Sequence, residues 1–443
     1  IPREACASQL ARVLSQGIVL VHMKILYRLL PVLLIFAITL SVSPIFTLAS
    51  SQTWTVVGTV GFSTGMANYT SLAFPDASST PYIAYQDIGN SNKATVMKFD
   101  GSSWSAVGTA GFSADAATYT SLAFPTASST PYVAYSDTAT SSAATLMKYD
   151  GTSWVAVGTT GFSAGAANYV SLAFPTSSST PYVAYRDSAT RSAATVMRYD
   201  SISGRWVAVG TTGFSAGAAS YISLTFPEAS STPYVAFRDG GNANKATVMK
   251  YDGTSWVAVG TAGFSAGTAT YTSLAFPTSS STPYVVYADN ASVVPNSATI
   301  MKYDGTSWVA VGDQGFTNDS VSYTSLAFPD ASSTPYLAYA TQFPLDQANV
   351  RAFNGTTWES VGDADFSAAG ASYNSLAFPE ASSTPYIAYK DASNSQKATV
   401  RTLITKYDLS FDTQGGSSVS AITDNFSNAS VTLPVAPTRS GYT

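Results

Sequence analysis

Six aspartates stand at one point of a recurring motif, two residues after an aromatic: Asp87, Asp137, Asp187, Asp239, Asp289 and Asp391, with Thr341 at the seventh occurrence. Carboxylates repeated around a symmetric fold can do two kinds of work. Each can accept N–H groups in an Asx turn of its own, or the set can present a ring of oxygens to a sugar or to a cation such as calcium. Arg186 and Arg238 directly precede two of these aspartates and Lys390 a third. Such neighbours are expected to pair, only weakly at a surface. The segments that follow differ most between repeats: DIGNSNKA, DTATSSAA, DSATRSAA, DGGNANKA, DNASVVPNSA, TQFPLDQA and DASNSQKA. Variable loops on a rigid repeating scaffold are where recognition is placed. The six aspartates with Arg186 and Arg238 are therefore the candidate ligand-binding set.

The rest of the chemical inventory is short. Cys6 is the one cysteine and His22 the one histidine among 443 residues, and both precede a segment that reads as an export signal. Met23 is followed by Lys24 and Arg28, then by the apolar run Leu29 to Leu40, then by Thr47-Leu48-Ala49 with small residues at the positions a signal peptidase reads. Residues 1–22 are expected to be an upstream extension and 23–49 a signal peptide, which directs the mature chain to the outside of the cell or its envelope. Membrane contact is then confined to export. The mature chain lacks thiol and imidazole, which excludes zinc sites built on them, a Ser-His-Asp triad, a Cys-His pair and disulfides. Only 11% of residues are charged and the net charge is −5, which argues against nucleic acid as a partner.

The positioning elements follow from an internal repeat. Seven tryptophans, Trp54, Trp104, Trp154, Trp206, Trp256, Trp308 and Trp358, are spaced 50 or 52 residues apart. Each unit contains four short stretches rich in aromatic and β-branched residues, as in YVSLAF, PYVAYRD, ATVMRYD and WVAVG, bounded by Gly, Pro, Ser or Asp. Asp-Gly at Asp100, Asp150, Asp252 and Asp304 supplies the positive φ of a tight hairpin before the Trp strand. Prolines at two fixed places in each unit stop strands. Four strands repeated seven times predict an all-β, seven-bladed β-propeller over 50–408. YxSLAF is expected innermost and the Trp strand outermost. The seventh inner set has no Trp strand after it, so Trp54–Gly58 is expected to complete that blade and close the ring, which leaves no exposed edge. Met97, Met147, Met197, Met249 and Met301 fall at a fixed place and are expected in the core.

The recurring SLA…PYVAY.D…VMKYDGTSWVAVG resembles the propeller repeats of secreted bacterial proteins, and its DGTSW corner is similar in part to the Asp-box hairpin of sialidase-like propellers. That resemblance implies fold and not activity, since the arginines Arg186, Arg191, Arg198, Arg205, Arg238, Arg351 and Arg401 show no sialidase-like triad in sequence. Residues 409–443 resemble the first half of a Listeria–Bacteroides repeat, the internalin B-type B-repeat, through Phe411-Asp412, Gly415-Gly416, Val419, Leu433-Pro434, Pro437-Thr438-Arg439 and Gly441-Tyr442. The resemblance implies a truncated β-grasp-like module of bacterial surface proteins, with no catalytic residues to carry over.

These readings predict a non-catalytic secreted or cell-surface binding module that presents its variable loops to an extracellular glycan or surface protein. No cofactor is expected, with calcium in the Asp ring as the exception the residue types admit. The competing readings are a carbohydrate-active hydrolase or lyase using channel carboxylates, and a structural spacer. An active site should break the repeat in one or two blades, whereas the acids here recur with it, so the chain is expected not to be an enzyme.

Overall fold

The computed structural model describes residues 45–76, 78–228, 230–330, 332–342, 345–412 and 417–426. The expected upstream extension 1–22 and most of the expected signal peptide 23–49 lie outside these residues. Two compact units are present, Gln52–Ile404 and a smaller one drawn from 1–51 and 405–443.

The larger unit is seven antiparallel sheets of four strands. Blade 3 is representative: Ala167–Ala173 innermost, then Tyr182–Asp187, Ala193–Asp200 and Arg205–Ala208 at the outer edge. Blades are numbered here from 1, which starts at Ala67, to 7, which starts at Ala371. Blade 7 takes its outer strand from the start of the chain: Ile45–Val56 pairs with Lys397–Asp412, and Val57 N–H donates to Val400 C=O at 2.9 Å. The expected closure is thus the observed one.

Local chemistry explains the strand ends. Asp150 Oδ1 accepts the N–H groups of Thr152 and Ser153, each at 2.8 Å, and Gly151 sits at φ +102° with open space around it. Its conformation, not crowding, demands glycine there.

The blades are joined at three radii. A Leu N–H on each inner strand donates to a Ser Oγ of the preceding blade, as from Leu172 to Ser121 at 3.0 Å, and this bond recurs at all seven junctions. An inner strand has no strand on its axial side, so its outward N–H groups need side-chain partners. This is the physical reason for the serine in YxSLAF. Between blades, Val183, Val196, Tyr185 and their equivalents are buried. Met301 is buried too, while Met97, Met147, Met197 and Met249 pack against neighbouring clusters. Farther out, each Trp stacks on a Phe, as Trp154 on Phe112 with centroids 4.1 Å apart, and donates its indole N–H to the preceding blade, Trp154 to Val107 C=O at 2.7 Å.

In the smaller unit the strand Lys397–Asp412 runs on and pairs antiparallel with Ile422–Phe426, Lys406 standing opposite Phe426. The expected B-repeat module at 409–443 falls largely on residues 413–416 and 427–443, outside the described residues.

Candidate functional site

The six aspartates are 0–1% exposed. In five blades the Asp caps a single 3-10 turn, as Asp187 does for Ser188–Thr190, its Oδ1 accepting Ala189 N–H at 2.9 Å. Oδ2 accepts the Thr195 hydroxyl at 3.3 Å, and Thr195 Oγ1 accepts Gly213 N–H from the connection into the next blade at 2.9 Å. The carboxylate therefore holds its own turn and, through a threonine, the connection into the neighbouring blade. Burial pushes the Asp137 carboxyl up from its ordinary value, against the pull of its bonds from Ala139 and Thr145. These oxygens are turned into the protein and are not arrayed as a ring toward a ligand. Among the described residues no group of three or more His, Cys, Asp or Glu is placed to hold a metal ion.

The channel mouth on the same face carries a different ring. Tyr69, Tyr119, Tyr169, Tyr221, Tyr271, Tyr323 and Tyr373 form a closed heptagon with neighbouring centroids 4.9 to 5.2 Å apart and planes inclined by 45 to 52°. Each lies at φ between +51° and +57°. The register of the inner strand slips there, between Asn168 and Ser171 in blade 3. The slip is a bulge, which re-aims a side chain out of the regular alternation. The half-buried rings surround a cavity of ≈230 Å³. The signal available in the sequence was an aromatic at one axial position in every unit, beside Ser and Ala.

Burial raises the phenols of Tyr69, Tyr119, Tyr221, Tyr271, Tyr323 and Tyr373, helped in all but Tyr323 by neighbouring tyrosines, and takes Tyr119 and Tyr271 up to about 12. Burial also takes Tyr389, in the core, up to about 12. A group whose folded pKa lies above its unfolded value stabilises the fold fully below the unfolded value. That contribution should hold up to pH 10 and be lost as pH rises through about 12. In an alkaline titration, phenolate absorbance is expected to rise late and together with loss of the circular dichroism signal. Ionisation of every tyrosine near 10 with the fold intact would contradict the placement of the ring.

Three cations stand beside it. Arg186, Arg238 and Lys390 occupy the second-strand position paired with Asn168, Ser220 and Ser372, the residues just before ring tyrosines. The expected pairing with the adjacent aspartates does not form, because those carboxylates are closed inside their turns. Lys390 Nζ donates to Asn68 Oδ1 at 3.1 Å and lies 5.7 Å from the Tyr373 ring centre. Arg238 Nε donates to Asn244 Oδ1 at 3.2 Å. Arg186 Nε is buried without a partner. Asn374, which lines the cavity, is 8% exposed with both amide atoms unpartnered. Four other blades carry Thr there, each hydroxyl donating to a tyrosine carbonyl of the preceding blade, and blades 3 and 4 carry Val170 and Ile222.

At the opposite mouth Asp76, Glu228, Asp330 and Glu380 line an opening of ≈580 Å³ with Phe74, Phe328 and Phe378. Two of these acids cap the next blade's loop: Asp76 accepts Ala127 N–H at 2.6 Å and Asp330 accepts Ala381 N–H at 3.2 Å.

No protein-family model matches this chain, and no curated protein matches it. Solved structures do. An ulvan lyase of polysaccharide-lyase family 25, bound to a -[GlcA(1-4)Rha3S]- saccharide, is 12% identical, with 77% of this chain and 94% of that one covered at a TM-score of 0.48. The polysaccharide lyase Uly1 is 9% identical over 75% and 89%, at 0.47. The six-bladed fucose-recognising lectin of Aleuria aurantia is 14% identical over 68% and 97%, at 0.45. The likeness is one of fold. It corrects one expectation: with polysaccharide lyases beside lectins among these propellers, enzymatic activity is not excluded for this chain.

Proposed function

We propose that this chain is an extracellular glycan-binding protein whose ligand enters the loop-face mouth of the channel and rests on the tyrosine ring. The observation that carries the reading is the ring, in which seven bulky residues are held at positive φ around one opening. Each such residue costs about 1–3 kcal/mol of backbone strain, which persists where the surroundings enforce it and clusters at ligand sites. Core packing alone has unstrained solutions, as the regular second and third strands of the same blades demonstrate.

A sugar ring matches what the mouth offers. Its C–H faces lie against aromatic rings, and its hydroxyls meet phenol oxygens and the free amide of Asn374. The variable loops share this face, Ser188 N–H donating to Ala166 C=O at 3.0 Å at the entry to the inner strand. They supply contacts beyond the first sugar, and the expected export signal puts that ligand outside the cell.

The test is titration calorimetry of the full chain against neutral and acidic oligosaccharides, with the same panel read for cleavage. Tyr221→Ala and Tyr271→Ala are each expected to weaken binding about tenfold or more, the loss of one aromatic anchor. Unchanged affinity in both variants would remove the ring from the site, and no binding across the panel would remove the reading.

A further inference from the structure

We propose that the ligand of this mouth is an acidic glycan, whose carboxylate or sulfate group is held by Arg186 and Arg238 while the tyrosines take its sugar rings. The proposal rests on the glycan reading above and names the chemical class of the ligand. Its starting point is one rim position at which the blades differ in charge. Going round the ring, the residue before the turn aspartate, or before Thr341 in blade 6, is Gln86, Ser136, Arg186, Arg238, Ala288, Ala340 and Lys390. The inner strands beside it share one course and register, and although blades 3 and 4 carry Val170 and Ile222 where the others have Thr or Asn, the rim position itself accepts Gln, Ser, Ala, Lys or Arg on that course.

The arginines are also the cations left with capacity. Lys390 is engaged by Asn68 and the face of Tyr373. Arg186 makes no hydrogen bond or ion pair with any described residue, and its Nε is buried. Arg238 has a neutral partner, Asn244, for one of its N–H groups. A buried donor left unpaired is unfavourable, and a planar guanidinium fork is the group that best matches the paired oxygens of a carboxylate or sulfate. The adjacent Asp187 and Asp239 do not compensate, since their oxygens are taken up within their own turns.

Both arginines stand on the strand beside the ring, paired with the residues that precede Tyr169 and Tyr221. Arg186 acts on the Tyr119 phenol and Arg238 on the Tyr221 phenol, each drawing it down against the effect of burial. On the far side of the mouth Asp346 acts on Tyr271 and Tyr323 in the opposite sense. Blades 3 and 4 thus bring the cations Arg186 and Arg238 to this side of the ring and blade 6 the acid Asp346, in a chain whose net charge is −5. An anionic unit is steered to the arginine side.

The experiment is titration of the full chain with three oligosaccharides of equal length, one neutral, one rich in uronic acid and one sulfated, at low and high salt. The Arg186→Gln/Arg238→Gln double variant is measured beside it, with melting curves of both. One or both acidic ligands are expected to bind about tenfold or more tighter than the neutral one at low salt, as a charge-assisted contact provides. The uronate and sulfate arms tell which anion is preferred. The preference should shrink with salt and vanish in the double variant while neutral binding persists. Equal affinity for neutral and acidic ligands, or a preference unchanged in the double variant, would overturn the proposal and leave the glycan reading standing. No binding to any of the three overturns both. Should the double variant not fold, competition by inorganic sulfate on the unaltered chain decides: displacement of the acidic ligand supports the proposal and no displacement overturns it.

Discussion

Truncation of the chain ahead of Thr59 is expected to open the ring, lower the melting temperature on the order of 10 °C or more, and produce association between chains. Trp54 is 4% exposed, stacks on Phe366 at 4.7 Å and donates its indole N–H to Val361 C=O at 2.7 Å. Its cluster includes Ala338, Val350 and Tyr389, so it ties blade 6 to blade 7. Removing one buried Trp side chain costs about 3–5 kcal/mol, and in a domain above 150 residues each kcal/mol is about 2–4 °C. Trp54→Ala alone should therefore show most of the thermal loss. Truncation adds a second effect, because Lys397–Ile404 then presents an unpaired edge, a template for another chain. Arg401 also loses its acceptor, since Nη1 donates to Trp54 C=O at 3.0 Å. Differential scanning calorimetry and light scattering separate the two effects. A synthetic peptide of residues 45–58 should restore the melt by strand addition. A truncated chain that melts like the full one and stays monomeric would rule out the closure.

How much of this was legible in the residues can be read at particular positions. The tryptophan spacing, the Asp-Gly hairpins and the missing eighth Trp strand specify the blades and the closure, because each is a local signal with a period. The tyrosine bulge was not legible: Tyr169, Ser171 and Ala173 alternate with Val170 and Leu172 as in any flat strand, and positive φ leaves no mark when the residue is not glycine. The Asp-Thr-Gly relay was hidden for another reason. Its partners lie 8 residues apart in one blade and 16 or 18 apart across the junction, as from Thr195 to Gly213, and no short-range pattern joins them. Blade 6 shows how real the relay is. Thr341 lacks the carboxylate, and Asp365 supplies one from the other side of the junction, accepting Asn349 Nδ2–H at 2.7 Å while its own N–H donates to Asn349 Oδ1 at 2.9 Å. At 351 and 401 the place of a core Met is taken by Arg, and Arg401 Nε donates to the buried Tyr389 hydroxyl at 2.9 Å. Composition alone assigns those two arginines to the surface.

That relay gives the second large expected effect. Asp239→Ala should destabilise the chain by about 3 kcal/mol or more, since hydrogen bonds to a charged group contribute about 1.5–3 kcal/mol each and one of the donors, the Thr247 hydroxyl, is left buried. Three donors lose their acceptor: Gly241 N–H at 3.0 Å, Asn242 Nδ2–H at 2.7 Å and the Thr247 hydroxyl at 3.2 Å. The Thr247 oxygen also accepts Gly263 N–H of the connection into blade 5 at 2.9 Å, so the loss reaches a blade junction. Asp239→Asn is expected to fall between the two, because one oxygen remains while the new amide meets the Asn242 and Thr247 donors. Calcium provides the discriminating control. A cation held by these carboxylates would raise the melting temperature by mass action in proportion to its occupancy, and a chelator would lower it. With the oxygens turned into their own blades, neither addition is expected to move the melt, and Asp239→Ala should weaken the chain equally with and without calcium. A calcium-dependent rise that Asp239→Ala abolishes would reassign the aspartates from turn chemistry to a cation site, and the repeat would then be built around its ligand instead of its turns.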